Sequence, residues 1–328
     1  MRATAPGRVN LIGDHTDYTG GLALPMAVDL GTTVEGDLGG DFVSLRSEDE
    51  AGEALVPLSV EDPRAVTPAW ARYVAGVVWA VRPQVGFEGG VTTTLPIGSG
   101  LSSSAALEVA VALALGFEGT PLELALACQR AEQRASGVPS GIMDQLASAS
   151  GVAGHALLMD CHSLAVTPVP MPDDVAVVVV HSGQARALAT SAYGERRAAC
   201  EAAEARIGPL RQATLADVET LDDVVLRSRA RHVVTENERV RRFSAALRAG
   251  ELVECGRLMV ESHRSLADDF EVSTPRLDAL VGELTALPGV FGGRLTGAGF
   301  GGCVVALAEP GAVDRGWRVR AADGARVE

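Results

Sequence analysis

Along the first part of the chain, apolar and polar residues alternate with a period of two. The windows 22–28, 32–36, 43–46 and 91–95 predict strands, and a 3.6-residue period over 70–81 predicts a helix. From 101 to 150 the pattern changes to Ala- and Leu-rich helix, broken at 116–120 and 136–140 where Gly, Pro and Ser gather. Strands follow at 155–159 and 164–169. Pro168, Pro170 and Pro172 then mark a boundary, and the unbroken apolar run 175–180 reads as a buried strand opening a second half. Helices are predicted over 188–207, 235–249, 251–267 and 275–287, while strands at 294–296 and 303–307 flank a glycine cluster. The chain therefore divides into 1–172 and 173–328. It has no internal repeat and no low-complexity linker, so the two halves are expected to pack closely.

Composition narrows the chemistry. Hydrophobic residues make up 47% of the 328 but aromatic ones only 4%, so the core must be built mainly of Ala, Val and Leu. A net charge of −14, spread along the chain, disfavours nucleic acid and anionic membranes as partners. An anionic nucleotide would have to be held by local backbone donors and a metal. All 28 basic residues are Arg, a bias that base composition accounts for. Whatever its origin, it excludes a P-loop lysine, a protein-kinase lysine and a lysine Schiff base. Cys128, Cys161, Cys200, Cys255 and Cys303 are scattered, odd in number and form no C-x-x-C pair, which fits reduced thiols in a cytoplasmic protein. The opening residues carry no apolar stretch of a secretory signal, and the run 175–180 is far too short to span a membrane.

Four segments carry the candidate chemistry. Residues 7–18 crowd Arg8, Asn10, Asp14, His15, Asp17 and Tyr18 beside glycines. Unpaired buried polar groups are costly, so this array is expected outside any core strand. It reads either as a solvated loop or as a polyol site, where carboxylates accept hydrogen bonds from sugar hydroxyls beside an arginine. Residues 95–106, with Gly98, Ser99, Gly100, Leu101, Ser102, Ser103 and Ser104, run from a strand into a helix. They read as an ordinary capped helix, or as a lysine-free phosphate cradle of converging N–H groups and hydroxyls. In 132–145 a Gly/Pro turn presents Asp144 at a helix start, where an aspartate is commonly a cap or dipole partner. In 292–303 glycines crowd between two strands, as a tight hairpin or as close backbone approach to a ligand.

In this order the four segments resemble the galactokinase branch of the GHMP small-molecule kinases. The stretches 70–77, 154–161, 229–239 and 268–273 match as well, so the resemblance runs from residue 3 to about 308. It implies an α+β GHMP kinase fold: an N-terminal α/β domain like ribosomal protein S5 domain 2, a C-terminal ferredoxin-like domain, and a site in the cleft between them. It implies ATP-dependent phosphorylation of the anomeric hydroxyl of galactose, with ATP and Mg²⁺. Arg8 and Asp144 match the catalytic pair, Asp144 serving as general base or as an orienting group. Asp14, His15, Asp17, Gly141 and Tyr193 match sugar-contacting positions. Gly98, Ser99, Gly100, Leu101, Ser102, Ser103 and Ser104 match the phosphate loop, Trp70 sits against adenine, and Gly297 and Gly299 are further ATP contacts. Ser104 and Glu132 match the Mg²⁺ ligands. His155 and Asp160 are expected to be structural.

The chain departs from the branch in specific places. Asp14 stands where Glu is usual, at a position implied to meet the sugar's C6 hydroxyl. Ser140 stands where Cys is usual, and His181 and Ala185 where Asn and Arg are usual. A sugar lacking C6, such as L-arabinose, is therefore an alternative substrate, and a non-catalytic sugar sensor is a third reading. The residues 308–316 are too few for a helical crossover, so the last helix of the second domain is expected to be missing. That would uncover an apolar face around Val304, Ala306 and Leu307. The chain is then expected to be a homodimer through this face or a monomer with a trimmed sheet.

Overall fold

The computed structural model describes residues 1–96, 98–184 and 189–328. The first half comprises β1 (Arg2–Ile12), β2 (Leu22–Leu38), β3 (Phe42–Ser47), β4 (Glu53–Pro57), α1 (Ala71–Val81), β5 (Phe87–Thr93), α2 (Ser103–Ala114), α3 (Pro121–Ser136), α4 (Met143–Ser150), β6 (His155–Asp160) and β7 (Ala165–Pro170). The second comprises β8 (Ala176–His181), α5 (Ala189–Ile207), α6 (Leu215–Glu219), α7 (Val224–Ala249), α8 (Leu252–Asp268), α9 (Pro275–Thr285), β9 (Val290–Thr296), β10 (Cys303–Ala308), β11 (Trp317–Val319) and β12 (Arg326–Val327).

Local chemistry explains the helix limits. Thr120 and Glu123 form a capping box at the start of α3, Pro121 takes its first turn, and Gly137 ends it in the left-handed conformation. The expected breaks at 116–120 and 136–140 are thus the ends of α2, α3 and α4.

Two differences from the sequence reading bear on the site. First, the polar array at 7–18 begins inside a core strand: Arg8 and Asn10 lie within β1 and are buried. The premise of unpaired polar groups fails for Arg8, which is paired with Asp144, and for the backbone of Asn10, which exchanges hydrogen bonds with the Thr296 hydroxyl; the Asn10 side-chain amide is buried beside the Asp14 carboxyl. Second, 22–38 is one strand, not two. It pairs with β1 through two register shifts, and at Gly31 a β-carbon would lie 2.5 Å from the Ala5 carbonyl oxygen.

Among the described residues the strands form two sheets. The first has the order β12-β1-β2-β5-β3-β4, with β6 and β7 attached through β2; α1, α2 and α4 pack on it and α3 packs on those helices, in one core that includes Val74, Val109, Leu124, Leu146, Val34, Leu45 and Val56. The second has the order β11-β8-β10-β9, which is the ferredoxin-like order 4-1-3-2 when its strands are counted along the chain. No helix joins β10 to β11; residues 309–316 cross as a loop.

The apolar face nevertheless does not lie open. Val304 and Ala306 pack with Leu210, Val233 and Leu280 under the helices. Val305 and Leu307 pack with Leu11, Leu24, Met26, Phe243 and Leu258 between the two sheets, and all four β10 residues are fully buried. The premise of the expected dimer is therefore absent from the single chain. After β11 the tail crosses back: Ala322 N–H donates to Ala27, Ala325 N–H to Ser148, and β12 pairs antiparallel with β1.

Candidate active site

Arg8 on β1 and Asp144 in the first turn of α4 meet where the two halves adjoin. Arg8 Nε donates to Asp144 Oδ1 at 2.8 Å and Nη2 to Oδ2 at 2.6 Å, while Nη1 donates to the Gly100 carbonyl at 2.7 Å. This is a bidentate, charge-assisted pair whose plane is fixed at three points. The Arg8 side chain is 5% exposed and that of Asp144 28%, so the carboxylate is the partner that faces open space. It faces a pocket of about 320 Å³, which Asp14, His15, Asp17, Gly141 and Tyr193 also line. The structure thus gathers every residue expected for catalysis or sugar contact around one cavity.

A second pocket, of about 250 Å³, lies alongside and is lined by Trp70, Ser103 and Ser104 among others. Tyr73 borders both pockets, a position the sequence reading missed. The junction is marked by Ser104 from the second pocket, whose hydroxyl donates to Glu132 Oε1 of the first at 3.1 Å. Glu132 Oε2 accepts from Ser140 Oγ at 3.0 Å and from Gln145 Nε2 at 2.7 Å. Burial, and then the nearby Asp144 charge, push the Glu132 carboxyl up. The serine standing in for the usual cysteine is therefore a donor to this carboxylate. Gln145 also donates to Glu108, which burial and the neighbouring Glu132 push well above the ordinary carboxyl range.

Between strand and helix, Gly98, Gly100 and Ser102 all take left-handed backbone conformations; of the residues expected in the phosphate loop, only Ser103 and Ser104 line the second pocket. Leu101 points into the core, and its carbonyl accepts the Arg8 N–H at 3.0 Å. Its contribution is backbone only. Ser99 is buried.

In the first pocket, burial and then the Asp144 charge raise the Asp17 carboxyl to about 6. Asp17 sits so close to the turn before α4 that a β-carbon at Gly141 would lie 1.6 Å from its Oδ2, so any side chain there would push the Asp17 carboxyl aside. His15 places Nε2 3.3 Å from the Ala298 carbonyl and Nδ1 3.0 Å from the Tyr18 hydroxyl. A carbonyl only accepts, so Nε2 carries the proton and Nδ1 accepts from Tyr18. Burial lowers this imidazole to about 3, and its ring is held 4.7 Å from Phe270 and 5.5 Å from Tyr193.

Asp14 is drawn toward the second half. Its Oδ1 accepts the Gly297 N–H at 3.1 Å and its Oδ2 lies 2.7 Å from Arg294. Gly297 lines the first pocket and not the second. Gly299 lines neither pocket: a β-carbon there would lie 2.3 Å from the Val272 carbonyl oxygen, so its glycine serves packing. The loop 13–22 is held from outside by α7, in the stretch that sequence matching found without a role. Glu236 Oε1 accepts the Gly13 N–H at 3.0 Å, His232 Nε2 donates to the Asp14 carbonyl at 3.1 Å, and Asn237 Oδ1 accepts the Leu22 N–H at 2.7 Å. Arg239 and the other charges around it hold Glu236 down at about 2 against its burial.

The remaining positions are structural. Asp160 closes the β6–β7 turn through the N–H groups of His162 and Ser163 and pairs with Arg211. His155 contacts the Ala153 carbonyl, and His181 accepts the Gly183 N–H within its own turn. Ala185 lies outside the described residues.

Residues 1–37 match the model of the galactokinase galactose-binding signature, 72–152 that of the GHMP kinases N terminal domain, and 243–324 that of the GHMP kinases C terminal domain. Human galactokinase is 44% identical over 360 residues, an alignment covering 100% of this chain and 92% of that protein. The galactokinase of Roseiflexus sp. (strain RS-1) is 45% identical, over 94% of this chain and 84% of that protein. The crystal structure of Lactococcus lactis galactokinase complexed with galactose superposes with a TM-score of 0.91 at 32% identity, over 99% of this chain and 94% of that one. Methanococcus jannaschii mevalonate kinase, at 20% identity and a TM-score of 0.72 over 98% of each chain, shares the fold. With identity sustained over the whole chain and both GHMP domains matched, this protein belongs to the galactokinase family.

Proposed function

We propose that the chain transfers the terminal phosphoryl group of ATP to the anomeric hydroxyl of galactose, giving ADP and galactose 1-phosphate. The observation that carries this reading is the Arg8–Asp144 pair facing a sugar-sized pocket that abuts a second pocket across Ser104 and Glu132. Phosphoryl transfer depends mainly on in-line positioning and charge stabilisation, which such a junction supplies. Asp144 accepts the hydrogen of the attacking hydroxyl as the new P–O bond forms and the bridging P–O bond to ADP breaks. Arg8 holds that carboxylate in one plane. N–H groups of the 98–104 loop other than Ser99, whose N–H donates to the Pro96 carbonyl, together with the start of α2 would face the phosphates in place of a lysine.

Ser104 and Glu132 are the residues that would hold Mg²⁺. The donor set is all oxygen, as a hard cation requires, and Glu132 is a buried carboxylate beside a second negative charge, an arrangement that a divalent cation relieves. Bound there, the ion would neutralise charge on the β- and γ-phosphates. Trp70 and Tyr73 would frame the base. The two domains divide at 172/173, with the tail at 320–328 packed on the first half. The buried cysteines and the absence, among the described residues, of any helix able to cross a membrane support a cytoplasmic site of action.

A second reading rests on Asp14, whose short side chain is held back by Arg294. It favours a sugar that does not need a C6 contact, such as L-arabinose. ATP consumption measured across a panel of monosaccharides decides between them. Galactose as the best substrate is expected. Binding of galactose without turnover of any sugar would make the chain a sensor.

A further inference from the structure

Ser102 adopts a backbone conformation that serine avoids. It stands at the N-cap of α2 with φ 59° and ψ 51°, in the left-handed region, in a loop whose other left-handed positions are Gly98 and Gly100. Glycine takes this conformation without penalty, whereas a side chain costs about 1–2 kcal/mol. An N-cap serine ordinarily repays its place by accepting an N–H of the first turn, but Ser102 makes no such bond. Its hydroxyl donates instead to Asp144 Oδ2.

That bond completes an asymmetric arrangement. Among the described residues, Oδ2 receives Arg8 Nη2 and the Ser102 hydroxyl, whereas Oδ1 receives Arg8 Nε alone. A carboxylate oxygen has two lone-pair directions, so Oδ2 is filled and Oδ1 has one direction left. The neighbouring Ser104 is committed elsewhere, to Glu132. The loop also grips Arg8 through the Gly100 and Leu101 carbonyls, so loop, arginine and carboxylate form one unit.

We propose that Ser102 is a positioning residue for the reaction: by filling Oδ2 it makes Oδ1 the oxygen that meets the sugar hydroxyl. This rests on the reading of Asp144 as the acceptor and differs from a phosphate-binding role for Ser102. The variants Ser102→Gly and Ser102→Ala test it. Ser102→Gly removes the hydroxyl and the backbone strain together, so its melting temperature should equal or exceed that of the unaltered chain. Its kcat should nevertheless fall about 10- to 100-fold, as loss of acceptor alignment does. KM for sugar and for ATP, and sugar affinity measured by calorimetry without nucleotide, should stay within about threefold. Ser102→Ala should lose the same kcat and melt lower than Ser102→Gly. If both variants keep kcat within about twofold, or if the loss appears as a raised KM for ATP at unchanged kcat, the proposal is overturned. Asp144→Asn separates the two levels: if that variant turns over normally, the acceptor reading itself fails, whatever Ser102 does.

Discussion

Arg294, wholly buried on β9, brings Nη2 to 2.7 Å from Asp14 Oδ2 across the boundary between the two halves. Burial pushes the Asp14 carboxyl up and the guanidinium opposes it, so a residue of the second sheet stabilises the charge of a pocket residue in the loop between β1 and β2. Restoring the usual glutamate adds one methylene, about 1.5 Å of reach. Asp14→Glu should therefore raise kcat/KM for galactose relative to L-arabinose. The gain of one hydrogen bond, about 0.5–1.5 kcal/mol and more for a charged acceptor, corresponds to a several-fold to tens-fold change. A ratio that does not rise would show that Asp14 is not the C6 contact.

The bidentate geometry at Asp144 makes charge alone an insufficient substitute on either side. Asp144→Asn removes the acceptor at constant volume and should lower kcat by at least about 100-fold while sugar binding persists in calorimetry. Arg8→Lys keeps the charge but cannot bridge both oxygens and the Gly100 carbonyl, so it should also be severely impaired. Normal kcat in the lysine variant would mean that only net charge matters at this position.

Asp17 links activity to pH. Its carboxyl is raised from 3.8 to about 6, so between those values the folded chain holds a proton that the unfolded chain has lost. Stability therefore falls as pH rises through that window, and above it the buried charge costs on the order of 1–3 kcal/mol. Asp17→Asn should melt higher than the unaltered chain at pH 8, and the advantage should vanish by pH 4. The same variant should lose sugar affinity, since the ionised carboxylate is the acceptor. Melting curves at the two pH values and calorimetry with galactose check both parts.

Ser104→Ala removes a hydroxyl oxygen from the junction of the two pockets. The Mg²⁺ concentration needed for half-maximal rate should rise, with KM for the sugar little changed. A Mg²⁺ titration superposable on that of the unaltered chain would take Ser104 out of the metal site.

Much of the site was legible as residue types because its chemistry is concentrated in short segments: all the expected catalytic and sugar-contacting positions surround one pocket. The supporting residues were not. Glu236 grips Gly13 from 223 positions away and Arg8 is paired with Asp144 136 positions away. A local pattern cannot register such pairings, which is why Arg8 and Asn10 read as loop residues while lying in a buried strand. Ser102 is the intermediate case: its place in the loop was evident from the glycines, but its partner was not. The missing helix was correctly inferred from chain length, yet what covers the face of β10 depended on how the two halves pack, a tertiary property.

The pairing of β1 with β12 has a consequence for how the molecule is made. Ala3 pairs with Val327 and Thr4 with Arg326, so the outer edge of β1 at these two positions waits for a segment synthesised after the whole second sheet. Contacts of such sequence separation form late and slowly, and an open strand edge is an invitation to foreign pairing in the meantime. The first half can build its helices and most of its sheet during synthesis, but its closure waits for a segment that must first traverse the second sheet. Closure of this edge is thereby tied to completion of the second sheet, and a chain interrupted between β10 and β12 would leave β1 unpaired at Ala3 and Thr4.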